Sequence, residues 1–374
     1  MKVLFGASVY NHLSTFHKPF MEYFQKNGYE VHAVGSASMG RKEELLEMGI
    51  ICHDIDFDRF PLSGKNLLAL RQLQLLFKQQ KFELIHVHTP VAALLIRYVA
   101  SHFHQGKVLY TAHGFHFYKG APLINWLLYY PLERLAAKWT DGLITMNAED
   151  YYRGKKIVSD VQFVHGVGVK PMNQVEWNTD KKALKNSIGL ASDSVVISYI
   201  AELNKNKNQQ FLLRNWHFIK QKSPDAALLI IGQGDMKPEL ESFIVKEQLK
   251  DVKVLGYRND VDQLLQITDV VALLSYREGL PKSIMEAMAA KIPCVVSDTR
   301  GLRDLIVHKR SGYLVPQGND EVLIDSFVNL LNNRDQRLRM GDLAYKDVEP
   351  YRLENVLQEY ISIYEEVLGG ARAE

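Results

Sequence analysis

Glu278 and Glu286 stand eight positions apart in the segment Tyr276-Arg277-Glu278-Gly279-Leu280-Pro281-Lys282-Ser283-Ile284-Met285-Glu286-Ala287-Met288-Ala289. Ionised carboxylates accept hydrogen bonds, and hydroxyl groups are their natural donors. The strand-like run Val270–Leu274 leads into this loop, and Pro281 falls where the first turn of a helix tolerates a missing N–H. The loop therefore opens a helix, and the unpaired amides at a helix start attract phosphate. Glu278 precedes that start, and Glu286 lies about one and a half turns inside it. A sugar nucleotide has this order of parts, with a diphosphate between two hydroxyl-rich rings. The ordinary alternative is a capping glutamate and a solvated helical one. The helix argues against it: Ile284, Met285, Ala287, Met288, Ala289 and Ala290 make it apolar, so a charge within it needs a partner.

The elements that must position these residues alternate along the chain. In the first half, strand-like runs at Val3–Phe5, Glu30–Val34, Ile51–Ile55, Leu84–His88 and Val108–Thr111 are separated by helical stretches near residues 18–27, 42–48, 67–80 and 91–102. The turn-rich stretch from His165 to Pro171 interrupts the pattern, and a second set follows at Val195–Ile200, Ala227–Ile231, Val252–Leu255, Val270–Leu274 and Cys294–Ser297. Helices near Glu321–Asn332 and Glu354–Leu368 close the chain. Short apolar strands alternating with helices predict parallel βαβ units. The expected architecture is α/β, two Rossmann-like doubly wound domains at 1–168 and 169–352, facing across a cleft at the strand carboxyl ends. The segment 353–374 is expected to be a helix that packs back on the first domain.

Composition narrows the function. The chain has 374 residues, 47% hydrophobic and 24% charged, which suits two soluble domains. No apolar run has the length of a membrane span, and Met1–Gly6 reads as a first strand rather than a signal peptide. Cys52 and Cys294 form neither a disulfide framework nor a CxxC metal motif. These features predict a cytoplasmic protein. Residues 1–170 hold 19 Lys/Arg against 14 Asp/Glu, and the remainder 26 against 29. That imbalance is too small for a nucleic-acid stripe; it is compatible with an anionic membrane face and also with chance.

The Glu278–Ala289 segment, followed by Ile292-Pro293-Cys294-Val295-Val296-Ser297, closely resembles the E-x7-E region of family 4 glycosyltransferases, retaining enzymes of the GT-B fold. Further segments match in order, so the resemblance covers nearly the entire chain. In Ala201-Glu202-Leu203-Asn204-Lys205-Asn206-Lys207-Asn208, Lys207 aligns with the lysine that grips the donor diphosphate. Glu202 stands where the family usually has an arginine, and a carboxylate cannot bind phosphate; Lys205, Lys282 or backbone amides are candidate substitutes. Gly232 and Gly234 of Ile230–Asp235 would permit close approach of a ligand. Leu255–Val261 resembles the loop that holds the base, with Tyr257 and Arg258. The resemblance further implies that Glu278 contacts the donor sugar and Glu286 the ribose, with Gly279, Leu280, Pro281, Lys282 and Ser283 lining the diphosphate between them.

In the first domain, His113 of Thr111-Ala112-His113-Gly114-Phe115-His116-Phe117-Tyr118 matches the family histidine that reaches the donor sugar. This sequence is also similar to a subgroup that extends undecaprenyl-diphosphate-linked sugars in capsule and exopolysaccharide assembly. The acceptor side would then include His12, His17, Phe115, Phe117 and Tyr118, although the opening loop lacks the Gly-Gly pair of many relatives. The apolar stretch Leu123–Tyr130, with Lys119 and Arg134 nearby, suits a face that meets lipid, and core packing is its ordinary explanation. His86 and His88 are expected to alternate across their strand, which would deny them a common metal. Asp54-Ile55-Asp56 is a chance match to a metal-binding DxD, and no metal or other cofactor is expected. Two rival functions share these features: a UDP-sugar 2-epimerase-like isomerase and a non-catalytic sugar-nucleotide-binding protein.

Overall fold

Two parallel sheets account for the alternation. The structure, a computed structural model, describes residues 1–170 and 180–369. The chain divides into two units, Met1–Val167 joined by the C-terminal segment from Glu354 on, and Gly168–Leu353. Pro171, which closes the turn-rich stretch, lies outside the described residues.

The sheet of the first unit contains β1 (Lys2–Val9), β2 (Glu30–Ser36), β3 (Ile51–Asp54), β4 (Leu84–His88), β5 (Lys107–Ala112), β6 (Gly142–Thr145) and β7 (Val161–Phe163). Its order is β3-β2-β1-β4-β5-β6-β7, with every pair parallel. The second contains β8 (Val195–Ile200), β9 (Ala226–Ile231), β10 (Val252–Gly256), β11 (Val270–Leu273), β12 (Cys294–Ser297) and β13 (Gly312–Val315). Its order is β10-β9-β8-β11-β12-β13, again parallel. Helices cover both faces of such a sheet, and the sequence shows why: all residues of β4 and β9 are buried, so they read as continuous apolar or near-apolar runs. Strand order reverses between β1 and β4 and between β8 and β11. Loops at the carboxyl ends of those strands diverge there and leave room for ligands.

Each unit has its own core. Leu4, Ile85, Val87, Ile96 and Phe117 belong to that of the first, and Trp216, Leu228, Ile284, Met288 and Phe327 to that of the second. The last helix, Leu353–Val367, packs within the first unit, where Tyr360 meets Phe20 at a ring separation of 4.4 Å. Among the described residues no helix is long and apolar enough to cross a membrane.

Several elements differ from expectation. β1 continues to Val9 and runs directly into a helix, Tyr10–Phe16, where a loop was expected. The strands β6, β7 and β13 were not anticipated: β6 and β13 open on glycine and β7 has three residues with a central Gln162, unlike the equally short but fully apolar run of β11. The helices Ala148–Gly154 and Arg334–Asp347 were likewise not anticipated. Asp54 forms an ion pair with Lys42 at 2.6 Å, a surface role for the DxD-like triplet.

Candidate active site

In the second unit the loops after β8 and β11 are bound to each other. Tyr199, fully buried on β8, donates its hydroxyl to the Lys207 carbonyl and accepts the Leu274 amide at 2.6 Å. Asn206 donates its side-chain amide to the Arg277 carbonyl at 3.1 Å, and its own carbonyl accepts the Tyr276 amide at 2.9 Å. Asn204 caps the turn that carries Lys207, accepting the Lys207 amide at 3.0 Å. These bonds place the Lys207 ammonium 2.6 Å from a carboxylate oxygen of Glu278, whose side chain is 8% exposed. The phosphate-gripping and sugar-contacting residues implied by the resemblance are therefore neighbours. Glu202, by contrast, is exposed and only its main chain is engaged, by the Gln209 side chain at 3.0 Å.

A third loop, after β12, supports Glu278 from behind. Buried Arg300 donates Nε to the Glu278 carbonyl at 3.2 Å. Gly301 has φ +74°, and a Cβ there would stand 2.0 Å from the Gly279 carbonyl oxygen, so only glycine allows this contact. Tyr199, Asn206, Arg300 and Gly301 had no assigned part in the sequence reading. Tyr199, Arg300 and Gly301 lie outside the matched segments and Asn206 inside one, and all four hold the Lys207 and Glu278 loops in place.

The helix after the loop spans Lys282–Ala289, with Pro281 at its N-cap, no side-chain cap and no acidic residue in its first turn. Leu280 packs on the core, while Gly279, Lys282 and Ser283 are partly exposed at this helix start. Glu286 has the partner that its apolar helix demands: Lys282, one turn earlier, at 3.5 Å. Burial raises the Glu286 pKa above the ordinary carboxylate range, and Lys282 opposes the shift.

Two expectations about this unit need correction or narrowing. The close approach at Gly232 and Gly234 is to the chain itself, since Cβ atoms there would lie 1.9 Å from the Ala201 carbonyl oxygen and 2.3 Å from that of Leu203. Tyr257 is 67% exposed, but the Arg258 guanidinium is committed to Asp260 through two bonds, 2.7 Å and 2.5 Å.

In the first unit the carboxyl ends of β1, β4 and β5 carry a group of histidines. His12 lies on the Tyr10–Phe16 helix, His17 just after it, His88 at the end of β4 and His113 directly after β5. The His12 and His113 Nε2 atoms are 3.2 Å apart, and His113 Nε2 lies 3.4 Å from His88 Nδ1. His17 stacks on His88 with ring centres 3.7 Å apart. Burial, with neighbouring imidazoles adding to it, pushes His17, His88 and His113 well below the usual histidine range, so these rings are neutral.

Two expectations are corrected here. His86 and His88 are two residues apart and so share one face of β4, their ring centres 4.3 Å apart, because strand side chains alternate with a period of two. His86 is nonetheless satisfied elsewhere, by the Tyr364 hydroxyl at 2.9 Å and the Thr111 hydroxyl at 2.7 Å. His17, Phe115 and Phe117 are buried rather than offered to an acceptor; the two phenyl rings stack at 4.6 Å inside the core. Tyr118 and His12 remain partly exposed.

Comparison with known proteins decides the family. Residues 2–147 match the model "Glycosyl transferase 4-like" and residues 180–347 match "Glycosyl transferases group 1". EpsD of Bacillus subtilis strain 168, which carries a provisional glycosyltransferase name, is 34% identical over 97% of this chain and 96% of its own. The chain belongs to the group 1, 4-like glycosyltransferases. An Escherichia coli relative of this glycosyltransferase, 31% identical over 71% of this chain and 70% of its own, is a UDP-Gal:alpha-D-GlcNAc-diphosphoundecaprenol alpha-1,3-galactosyltransferase. Among solved structures, Anabaena HepE in complex with UDP and glucose superposes with a TM-score of 0.81 over 98% of this chain and all of that one, at 18% identity. The two Rossmann-like sheets are those of the GT-B fold.

Proposed function

We propose that this glycosyltransferase moves a sugar, with retention of configuration, from a UDP-sugar to a saccharide carried on polyprenyl diphosphate, in capsule or exopolysaccharide synthesis. The observation that carries the reading is the Lys207–Glu278 pair beside an uncapped helix start. Support for the donor and acceptor classes comes from the name of the Escherichia coli relative, and support for capsule synthesis from Staphylococcus aureus CapM, a capsular polysaccharide biosynthesis glycosyltransferase 24% identical over 88% of this chain.

Breaking the glycosyl–phosphate bond adds charge to the departing diphosphate while the sugar becomes oxocarbenium-like. Lys207 and the first-turn amides after Pro281 stabilise the former, and fixed donors of this kind need no rearrangement as charge develops. Glu278 accepts bonds from sugar hydroxyls and steadies the positive ring. Glu286 binds the ribose hydroxyls, and His113 keeps the role of orienting the donor sugar. The acceptor hydroxyl attacks from the side of the leaving group, with a phosphate oxygen taking its proton, and in this reading Lys207 and the first-turn amides take the place of a metal at the diphosphate. The paired carboxylates of glycosidases are a different scheme, because neither glutamate here acts as nucleophile or acid.

In the first unit, Leu123, Ile124 and Leu127 are 73%, 63% and 66% exposed on the helix Leu123–Ala136. Their exposure favours a lipid-facing role, with Lys119 and Arg134 nearby for anionic headgroups.

The test is a panel of UDP-sugars with synthetic polyprenyl-diphosphate saccharides, following UDP release and product formation. Glu278→Ala and Lys207→Ala are each expected to lower turnover about 10²–10³-fold, the usual cost of losing one charge-stabilising group. Wild-type rates in both variants would remove these residues from the site. Conversion of a UDP-N-acetylhexosamine without acceptor would instead identify an isomerase.

A further inference from the structure

The histidine cluster of the first unit contains more imidazole nitrogen than hydrogen bonding uses. Among the described residues neither ring nitrogen of His17 has a hydrogen-bond partner, nor has Nε2 of His88, although both side chains are 0% exposed. Buried polar groups are ordinarily paired, and three such atoms in two stacked rings call for an explanation. His86, on the same face of the same strand, shows what ordinary satisfaction looks like: each of its nitrogens meets a hydroxyl.

The arrangement suits a cation. One nitrogen from each of His12, His17, His88 and His113 can be chosen so that all four lie within 4.8 Å of one another. Four nitrogens at the usual zinc bond length of about 2.0–2.1 Å in a tetrahedron would be separated by about 3.3 Å. The 3.2 Å from His12 Nε2 to His113 Nε2 and the 3.4 Å from His113 Nε2 to His88 Nδ1 are already edges of that size, so the ion would take His88 through Nδ1 and give one nitrogen of His17 the partner it lacks. The remaining edges, which reach up to 4.8 Å, must shorten on loading, with the stacked His17 and His88 rings turning so that their lone pairs converge. A purely hydrogen-bonded cluster would explain His12, His113 and one nitrogen of His88, and would leave His17 without any role.

We propose that His12, His17, His88 and His113 form a binding site for a single dication of the zinc class. Neutral imidazole suits zinc, cobalt, nickel and copper, whereas magnesium and calcium prefer oxygen. With no carboxylate in the set, the ion's charge is compensated from the partly exposed side, formed by His12 and His113. The four histidines belong to the first unit and the diphosphate-binding residues proposed above to the second, and the two readings share His113. A ring committed to the ion is not free for a sugar, so loading would lower turnover.

Binding is measured on the full chain without donor or acceptor, which separates it from the transfer reaction. Chelator-treated protein is titrated with Co²⁺ and its visible absorption followed, and Zn²⁺ affinity is obtained by competition with a chromophoric chelator. One equivalent per chain is expected, with the intense absorption of tetrahedral cobalt. His17→Ala and the less buried His12→Ala should each weaken Zn²⁺ by at least about 100-fold, beyond the 10–100-fold typical of losing an outer partner. His102→Ala, at an exposed histidine outside the cluster, should leave the affinity unchanged. Absence of stoichiometric binding to the wild type, or equal affinity in folded His12→Ala and wild type, would overturn the proposal.

Discussion

The two sheets reverse strand order in the same way, yet the polar groups beside the two reversals differ in kind. Between β8 and β11 a cation and an anion, Lys207 and Glu278, are paired at 2.6 Å, and three loops are hydrogen-bonded around them. Between β1 and β4, neutral imidazoles crowd together and several nitrogens lack partners. In the proposed reading the second unit serves an anionic ligand with hydroxyls, its charged groups held in advance. The first unit holds buried imidazole nitrogens without partners among the described residues, the feature on which the proposed cation site rests. One topology hosts both because the loops, and not the strands, supply the chemistry.

The contrast can be broken most severely at Gly301. Gly301→Ala would force its Cβ against the Gly279 carbonyl and displace Glu278, without touching either charge. Turnover is expected to fall about 100-fold, the cost of an ångström-scale misplacement. Single-turnover UDP release, with circular dichroism to confirm the fold, measures it. If Glu278 works without a fixed position, the rate will stay near wild type.

A smaller effect is expected from Tyr199→Phe, which leaves the Leu274 amide and the Lys207 carbonyl without their shared hydroxyl. Urea unfolding should show a loss of about 1–3 kcal/mol, the range for buried groups left unsatisfied. An unchanged midpoint would mean that the loop is held by the other bonds alone.

Glu286 offers the most subtle test. Its pKa is raised in the folded state, so the folded chain binds more protons than the unfolded chain above the ordinary value of 4.5. Its contribution to stability is therefore greatest in acid and declines as pH rises from 4.5 through the folded value. Glu286→Gln should remove that slope from the pH dependence of unfolding. A slope identical to that of wild type would assign it to other groups.

Much of this was legible in the sequence. Buried parallel strands advertise themselves as apolar runs, so ten of the thirteen among the described residues are legible in the sequence, and the other three open on glycine or have only three residues. The Glu278 segment was readable because one loop and one helix hold most of it in a continuous stretch. Its supports were not, since the side chains of Tyr199, Asn206 and Arg300 reach the main chain of Leu274, Arg277 and Glu278 from 75, 71 and 22 positions away. The histidine cluster was hidden for a similar reason. It gathers residues 12, 17, 88 and 113, and the parity of His86 and His88 was read on opposite faces when a separation of two puts them on one.

Calorimetric titration with UDP tests most directly the claim that the loops after β8 and β11 hold the donor diphosphate. Lys207→Ala is expected to weaken UDP about 10- to 100-fold, corresponding to one charge-assisted hydrogen bond. His113→Ala, which alters the other unit, should change UDP affinity by less than about threefold, within the 0.5 kcal/mol typical of uninvolved sites. Wild-type UDP affinity in Lys207→Ala, with loss of binding in His113→Ala, would place the diphosphate elsewhere.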